Sequence, residues 1–294
     1  MPSKKSKKTH EYRWLFDAIG TRWSIETDRS LSNEVKQKVM SCIDTFDRTY
    51  SRFRDDSKVS KIYHNPGEYH LDDNSSQLSR LYRQLYDATD GAVTPLIGEG
   101  LVAAGYDKNY SLSPSMPSLA PVWDDDFVWK GRSMRTKRPV LVDVGAAGKG
   151  CLIDNVADIM EKEGFSSYVI DASGDMKHRG RNTEMVGLEN PYDTSRVIGV
   201  VPLQNASLCA SATNRRRWTD GWHHVLDGRT SLPTTTVVAT WVVAELAMMA
   251  DGLATALFFV NPNKLEFAGD FQFVRLFGNG KVEYSKNFVG ELYI

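Results

Sequence analysis

The sequence has few cysteines, no long apolar run and almost no net charge. Its three cysteines, Cys42, Cys151 and Cys209, are too widely spaced for a disulfide framework or a zinc site. No window approaches the run of about 20 apolar residues that a membrane-spanning helix needs, so we expect no membrane insertion. The formal net charge of −1 argues against nucleic-acid binding, since such proteins gain affinity by neutralising phosphates.

What is present is an ordinary globular composition, with 41% apolar and 25% charged residues. The basic N-terminus resembles the start of a signal peptide, but Glu11, Arg13 and Asp17 interrupt the apolar core that such a peptide requires. We therefore predict a cytoplasmic protein with a flexible basic tail over residues 1–11 and a single domain over residues 12–294. A loop rich in proline and serine near residues 108–122 could divide that domain into two lobes.

Hydrophobic periodicity predicts helices and strands in no regular alternation. Long helices are predicted after Ser32 or Asn33, after Ser75 or Ser76, after Gly148 and over about 245–258, and Ser57 is predicted to cap a short helix. Strand patterns occur over residues 12–27, 127–129, 139–144, 167–171, 184–188, 196–201, 222–226 and 236–243, and again after residue 271. This order favours an α+β fold over a doubly wound sheet.

A glycine-rich segment, Asp143-Val144-Gly145-Ala146-Ala147-Gly148-Lys149-Gly150, links a predicted strand to a predicted helix. Free backbone N–H groups and the helix dipole at such a turn favour an anion such as a diphosphate. The segment lacks the first glycine and the final Ser or Thr of a P-loop, which excludes that nucleotide motif. Close packing of the helix on a strand explains the glycines equally well.

A second candidate site lies in the predicted helix near residue 250. Asp251 and Thr255 are four residues apart, so their side chains share one helix face. A carboxylate and a hydroxyl among apolar residues need a partner, and hard oxygen donors suit Mg²⁺. A structural aspartate with a threonine bonded back to its own helix is the alternative.

A third cluster joins three consecutive arginines to a histidine pair. Arg215, Arg216 and Arg217 precede Trp218, and His223 and His224 follow closely. Arginines beside an aromatic ring can grip phosphate or stack on a ligand, and a histidine next to a carboxylate can act as a general base. A solvated turn and a structural histidine stay open as alternatives.

Taken in order, these motifs resemble those of the FAD:protein FMN transferases, also called ApbE-type flavin transferases. Their shared order and spacing over most of the chain carry the resemblance, in the segments Gly20-Thr21, Ser51 to Ser60, Asp90-Gly91-Ala92, Asp143 to Asp154, Ser173-Gly174-Asp175, Ser211 to Trp218, His223 to Asp227 and Ala250 to Leu257. The resemblance implies an α+β architecture of mixed sheets with packed helices, similar to the T-fold.

The resemblance also implies an activity, the Mg²⁺-dependent transfer of FMN from FAD to a Ser or Thr hydroxyl of a client flavoprotein with release of AMP. Asp251, Thr255 and the backbone carbonyl of Gly148 would hold Mg²⁺, and His224 or else Asp154 would accept the hydroxyl proton. FAD would lie against Gly20, Ser57, Lys149, Ser173, Gly174, Asp175, Arg216 and His224. An FAD pyrophosphatase and a carrier that binds FAD without turnover stay open as alternatives.

Four positions depart from the usual pattern of the family. Gly148 stands where alanine is usual, which is a mild change because a carbonyl ligand comes from the backbone, and Gly228 stands where proline usually follows the aspartate. Tyr63 stands where asparagine is usual, and Thr94 stands where aspartate is usual. Both lie near segments that shape the flavin site in the family, so flavin binding or turnover could differ in this chain.

Overall fold

The computed structural model describes residues 11–218 and 221–293. The helices of this part of the chain are α1 (Asn33–Tyr50), α2 (Lys58–His64), α3 (Ser75–Ala88), α4 (Gly98–Ala103), α5 (Gly148–Lys162) and α6 (Ala247–Ala256), with a 3₁₀ helix at Pro262–Ala268. The strands are β1 (Tyr12–Ala18), β2 (Thr21–Thr27), β3 (Glu68–His70), β4 (Phe127–Lys130), β5 (Ser133–Thr136), β6 (Tyr168–Ala172), β7 (Met176–Arg179), β8 (Glu184–Asn190), β9 (Asp193–Leu203), β10 (Ser207–Ala212), β11 (Leu226–Asp227), β12 (Leu232–Pro233), β13 (Val237–Ala244), β14 (Gln272–Phe277), β15 (Val282–Tyr284) and β16 (Glu291–Leu292).

The main sheet has eight strands in the order β1-β2-β6-β7-β10-β13-β14-β15. Every neighbouring pair in it is antiparallel, and the register places Trp23 opposite Ala172 and Leu208 opposite Met176. Three smaller sheets, β16-β9-β8, β3-β5-β4 and β11-β12, flank it. Mixed helices with antiparallel sheets confirm the predicted α+β class and exclude the doubly wound alternative.

Helices α5 and α6 cover the main sheet and form the centre of the core. The buried face of α5 includes Leu152, Ile153 and Val156, and burying each such side chain contributes about 1.5–3 kcal/mol. The two helices approach closely at Gly150, where a Cβ atom would lie 2.2 Å from the Ala247 carbonyl oxygen. Only glycine permits this approach, which brings the first turns of both helices together.

Local capping agrees with the sequence in two of three predicted places. The Ser32 hydroxyl accepts the Val35 N–H at 3.2 Å, and the Ser57 hydroxyl accepts the Ser60 N–H at 3.1 Å. Ser75 is instead the first residue of α3, whose cap position is Asn74. The predicted helix starts are therefore correct to within about two residues.

The predicted strand over residues 139–144 is wrong, since no strand forms there. This segment is held by a backbone bond from the Asp143 N–H to the Pro95 carbonyl at 2.8 Å and by side-chain contacts rather than by a ladder. The predicted strand over 222–226 is reduced to the two-residue β11. Short apolar runs alone do not distinguish a strand from an extended, buried connection.

Residues 104–126 contain no helix or strand, which agrees with the predicted loop near 108–122. The predicted basic tail lies outside the described residues except for Glu11. None of the helices in the described ranges is both long and apolar enough to cross a membrane.

Candidate active site

An ion pair fixes the glycine-rich segment at its first residue. Asp143 accepts the Gly145 N–H at 2.7 Å through one carboxylate oxygen and Arg52 Nε at 2.5 Å through the other. The Arg52 guanidinium lies over the rings of Phe53, at 4.2 Å, and Tyr106, at 5.0 Å. The turn is thereby tied to the end of α1. The two residues are 91 positions apart, so no local sequence pattern indicates this pair.

Asp251 lies at the start of α5 although it belongs to α6. Its side chain accepts the Gly150 N–H at 2.9 Å and is 7% exposed. Burial and the like charge of Asp175 raise the pKa of Asp251 well above its usual range, while Lys149 and the Gly150 N–H act in the opposite direction. The Asp251 carboxyl therefore keeps its proton to a higher pH than an exposed carboxyl does.

Lys149, whose side chain is 25% exposed, forms an ion pair with the buried Asp175 beside Asp251. The Lys149 ammonium is 2.8 Å from Asp175 Oδ2, and the other Asp175 oxygen accepts the Ala210 N–H at 3.0 Å. Burial alone would lower the pKa of Lys149, but the carboxylates of Asp175 and Asp251 raise it overall. The group contains two carboxylates and one ammonium, so with all three ionised it carries one excess negative charge.

Thr255 faces the glycine turn, as the four-residue spacing from Asp251 predicts. Its hydroxyl lies 3.5 Å from the carbonyl oxygen of Ala146. Gly148, the predicted carbonyl donor, is the first residue of α5, where carbonyls accept hydrogen bonds from within the helix. The carbonyl oxygen that lies beside the Thr255 hydroxyl is that of Ala146, two residues earlier, and the role of the Gly148 carbonyl as a metal ligand stays a prediction.

The two histidines have different environments. His223 Nε2 lies 2.9 Å from the Thr234 carbonyl, and its Nδ1 accepts the Val225 N–H at 3.2 Å. Burial, with Arg216 and His223 nearby, lowers the pKa of His224 to about 3. His224 Nδ1 is buried and has no hydrogen-bond partner among the described residues. His223 thus fixes the loop, and His224 presents a neutral ring.

Arg216 belongs to a cluster of cations and aromatic rings close to these groups. Its guanidinium lies 5.5 Å from the Tyr106 ring, which also stacks on Trp218 at 6.0 Å. Trp218 Nε1 donates to the Ala104 carbonyl at 3.0 Å. Arg216 is near enough to lower the pKa values of both Asp251 and His224, so the three sequence clusters converge on one region.

Asp154, the second predicted proton acceptor, is engaged in holding α6. One of its oxygens accepts the Ala247 N–H at 3.1 Å and lies 2.6 Å from the Lys177 ammonium, and the other accepts the Met248 N–H at 2.9 Å. Both oxygens therefore have partners at the N-terminus of α6. Lys177 carried no recognisable signal in the sequence.

The other predicted FAD-binding residues lie in two hairpin turns and one helix cap. Gly20 and Gly174 have positive φ values of 71° and 101° in the β1–β2 and β6–β7 turns. Ser173 joins these turns, since its hydroxyl donates to the Arg22 carbonyl at 2.9 Å. Ser57 is fully buried as the cap of α2, and its hydroxyl donates to that of Ser60 at 3.0 Å.

The donors fit a hard divalent cation that keeps some of its water. Among the described residues, no group of three or more His, Cys, Asp or Glu side chains could hold a metal. Asp251, the Thr255 hydroxyl and the Ala146 carbonyl instead supply oxygens of three kinds. Mg²⁺ needs few protein ligands because it retains waters and binds substrate phosphates, so this set of donors is compatible with it.

Comparison with known proteins identifies the family and the relatives of the chain. The model of the ApbE family matches residues 19–272. The chain belongs to the ApbE family. It is 26% identical over 275 residues to the FAD:protein FMN transferase of Klebsiella pneumoniae, covering 84% of this chain and 78% of that protein. The Escherichia coli K12 protein of the same name is 24% identical over 276 residues, covering 84% and 77%.

Solved ApbE structures share the fold. The flavin transferase ApbE of Vibrio cholerae superposes with a TM-score of 0.78 at 19% identity, covering 94% of this chain and 98% of that one. The ApbE protein of Thermotoga maritima gives 0.80 at 23% identity, with 94% and 97% covered. The predicted membership of the ApbE family and the predicted architecture are confirmed, and the names of the relatives agree with the predicted transferase class.

The departures from the usual ApbE pattern at Tyr63 and Thr94 are accommodated by local contacts. The Tyr63 hydroxyl donates to Glu99 at 3.2 Å, and buried Thr94 accepts the Leu96 N–H at 3.2 Å. Thr94 also packs against Gly228, where a Cβ atom would lie 2.5 Å from the Thr94 methyl group. Thr94 therefore helps to position the loop that follows the histidine pair.

Proposed function

We propose that this member of the ApbE family is a Mg²⁺-dependent FAD:protein FMN transferase. It moves FMN from FAD to a Ser or Thr hydroxyl of a client flavoprotein and releases AMP. The observation that carries the proposal is the convergence of the Asp251 carboxylate, the Thr255 hydroxyl and the Ala146 carbonyl beside the glycine turn and Lys149. The names of the curated relatives support the same reaction.

In the proposed reaction the client hydroxyl oxygen attacks the phosphorus on the FMN side of the diphosphate. A new P–O bond forms to the client, the bond to the bridging oxygen breaks, and AMP leaves with that oxygen. Mg²⁺ supplies charge neutralisation on the diphosphate when it is bound. Asp251, Thr255 and the Ala146 carbonyl would hold the cation, and Lys149 adds a fixed positive charge beside it.

His224 is the proposed acceptor of the hydroxyl proton. Its low pKa keeps the ring neutral, and its unpartnered Nδ1 offers a lone pair. The negative charge of bound FAD would offset the effect of Arg216 and make the ring a stronger base. Asp154 is a weaker candidate, since backbone N–H groups and Lys177 already occupy both of its oxygens.

The proposed FAD site extends from Lys149 to the aromatic cluster. Arg216 would contact phosphate or a ring, and the turns at Gly20 and at Ser173-Gly174 would border the flavin and adenosine parts. Asp175 and Ser57 are buried, so both would act on FAD through the groups that they hold, which are Lys149 and helix α2.

Flavin transfer is tested by incubating the protein with FAD, Mg²⁺ and candidate client flavoproteins. We expect a fluorescent client band that survives denaturation, together with one AMP for each FMN transferred. Asp251→Asn is the negative control, and Asp158→Asn, on the exposed face of α5, is the matched control that stays active. AMP release that does not depend on a client would identify a pyrophosphatase, and tight FAD binding without AMP release would identify a carrier.

A further inference from the structure

Two carboxylates act on the Lys149 ammonium, and among the described residues Asp175 is its direct ion-pair partner. Its distance to Asp175 Oδ2 is 2.8 Å, and its charge also interacts with Asp251. Gly150, the residue after Lys149, donates its N–H to Asp251 at 2.9 Å, so the first turn of α5 contacts Asp251 and also carries Lys149. Which of the two carboxylates pairs with the Lys149 ammonium therefore affects what Asp251 can bind.

Asp175 is held in a fixed position, where it pairs with the Lys149 ammonium. Its side chain is 1% exposed, and the Ala210 N–H of β10 holds the oxygen that does not face Lys149, at 3.0 Å. A side chain this deeply buried acts on its neighbours rather than on a bound ligand. Asp175 also lies directly before β7, in the main sheet, so it belongs to the rigid part of the fold.

We propose that Asp175 is a positioning residue that holds the Lys149 ammonium away from Asp251 and so leaves the Asp251 carboxylate available to a divalent cation. This inference rests on the proposed function. An ammonium and a divalent cation compete for the same carboxylate, and the Lys149 side chain is 25% exposed, so it can turn from one carboxylate to the other. Without the charge of Asp175, Lys149 turns to Asp251 and excludes the cation.

The test is a double-mutant cycle read by Mn²⁺ binding, measured by electron paramagnetic resonance without FAD or client. We expect Asp175→Asn to weaken Mn²⁺ binding by about 10- to 100-fold, as for other residues that orient metal ligands. Lys149→Gln binds Mn²⁺ at least as tightly as the wild type. In the Lys149→Gln background, Asp175→Asn then changes the affinity by less than about twofold, because the competing ammonium is gone.

Two further variants separate this role from a structural one. Asp171→Asn removes a nearby carboxylate that accepts the Gly174 N–H at 2.8 Å, and it controls for loss of charge alone. Asp175→Glu keeps the charge and retains most of the Mn²⁺ affinity. Should Asp175→Asn lose its circular dichroism spectrum, Asp175→Ser, which still accepts the Ala210 N–H, takes its place in the cycle.

The possible results distinguish the positioning role of Asp175 from the proposed function. Equal loss of Mn²⁺ affinity from Asp175→Asn in both backgrounds, or none in either, overturns the inference while leaving the proposed function intact. A wild type that binds no Mn²⁺ overturns both. Coupling between the two residues in a protein that transfers no FMN supports the positioning role and contradicts the proposed function.

Discussion

Replacing Asp251 by asparagine should stabilise the metal-free protein while abolishing its activity. The side chain is 7% exposed, and its hydrogen bond comes from the Gly150 N–H. Asparagine keeps an oxygen for that N–H, so the loss is the difference between a charged and a neutral acceptor, about 1 kcal/mol. Removing the buried charge should raise the free energy of unfolding by more than this. Desolvation of a buried carboxylate costs several kcal/mol, and the attraction of Lys149 offsets part of that cost. We expect a net gain of about 1–2 kcal/mol.

The gain should depend on pH in a defined direction. The pKa of Asp251 is raised in the folded protein above its ordinary value of 3.8, so on increasing pH the unfolded chain loses this proton first. The folded wild type is then progressively destabilised relative to the unfolded chain, until Asp251 itself ionises in the folded state. Asparagine has no proton to lose, and the advantage of the variant therefore grows as the pH rises above 3.8.

Urea unfolding in EDTA at pH 5 and pH 8, repeated with Mg²⁺, measures this effect. Mg²⁺ should stabilise the wild type and leave Asp251→Asn unchanged. AMP release should fall by about 10³-fold, which corresponds to the several kcal/mol that a bound cation contributes to a phosphoryl-transfer transition state. A variant that is less stable than the wild type at pH 8 without metal, and that Mg²⁺ still stabilises, would refute the reasoning.

Four other changes test the remaining contacts. Thr255→Val should weaken Mn²⁺ binding by about tenfold while Thr255→Ser, which keeps the hydroxyl, stays close to the wild type in the same titration. Gly150→Ala should lower the free energy of unfolding by about 1–3 kcal/mol through the clash with Ala247, whereas Gly67→Ala, whose Cβ would meet only a ring carbon at 3.6 Å, should cause little change in a parallel urea melt. Since the pKa of His224 is about 3 when folded and 6.5 ordinarily, the wild type should lose stability as the pH falls from 6.5 towards 3, and His224→Gln should flatten this part of a stability profile. Asp154→Asn should lower the free energy of unfolding by about 1 kcal/mol, because a helix cap is lost. It should also lower the rate of AMP release without changing the shape of the pH profile of that rate. Loss of one limb of the profile would instead identify Asp154 as the proton acceptor.

The parts of the site that could be predicted from sequence are those set by local geometry. Asp251 and Thr255 are one helical turn apart, so any helix places them on one face. The caps at Ser32 and Ser57 follow from the same kind of short-range rule. The glycine turn before α5 was also predictable, because glycine, a following helix and a lysine occur within one short segment.

The parts that were missed depend on tertiary contacts. Two ion pairs, Arg52 with Asp143 and Lys149 with Asp175, form only after the sheet and helices have packed. The contact of the Thr255 hydroxyl with the Ala146 carbonyl likewise depends on how α6 packs against the turn before α5, which local sequence patterns do not report.

Helices α5 and α6 cap each other, which explains why two similar aspartates have different roles. Neither helix has a side-chain cap of its own: Asp154 of α5 accepts two N–H groups at the start of α6, and Asp251 of α6 accepts one at the start of α5. Each carboxylate thus lies at a positive helix end. Both oxygens of Asp154 accept hydrogen bonds there, and Lys177 neutralises its charge. Among the residues that the structure describes, only one Asp251 oxygen has a partner, which leaves the other uncommitted, and Asp175 holds the neighbouring lysine. The contact at Gly150 that docks the helices therefore also sets the position of the uncommitted oxygen, so the precision of the proposed metal site derives from backbone packing.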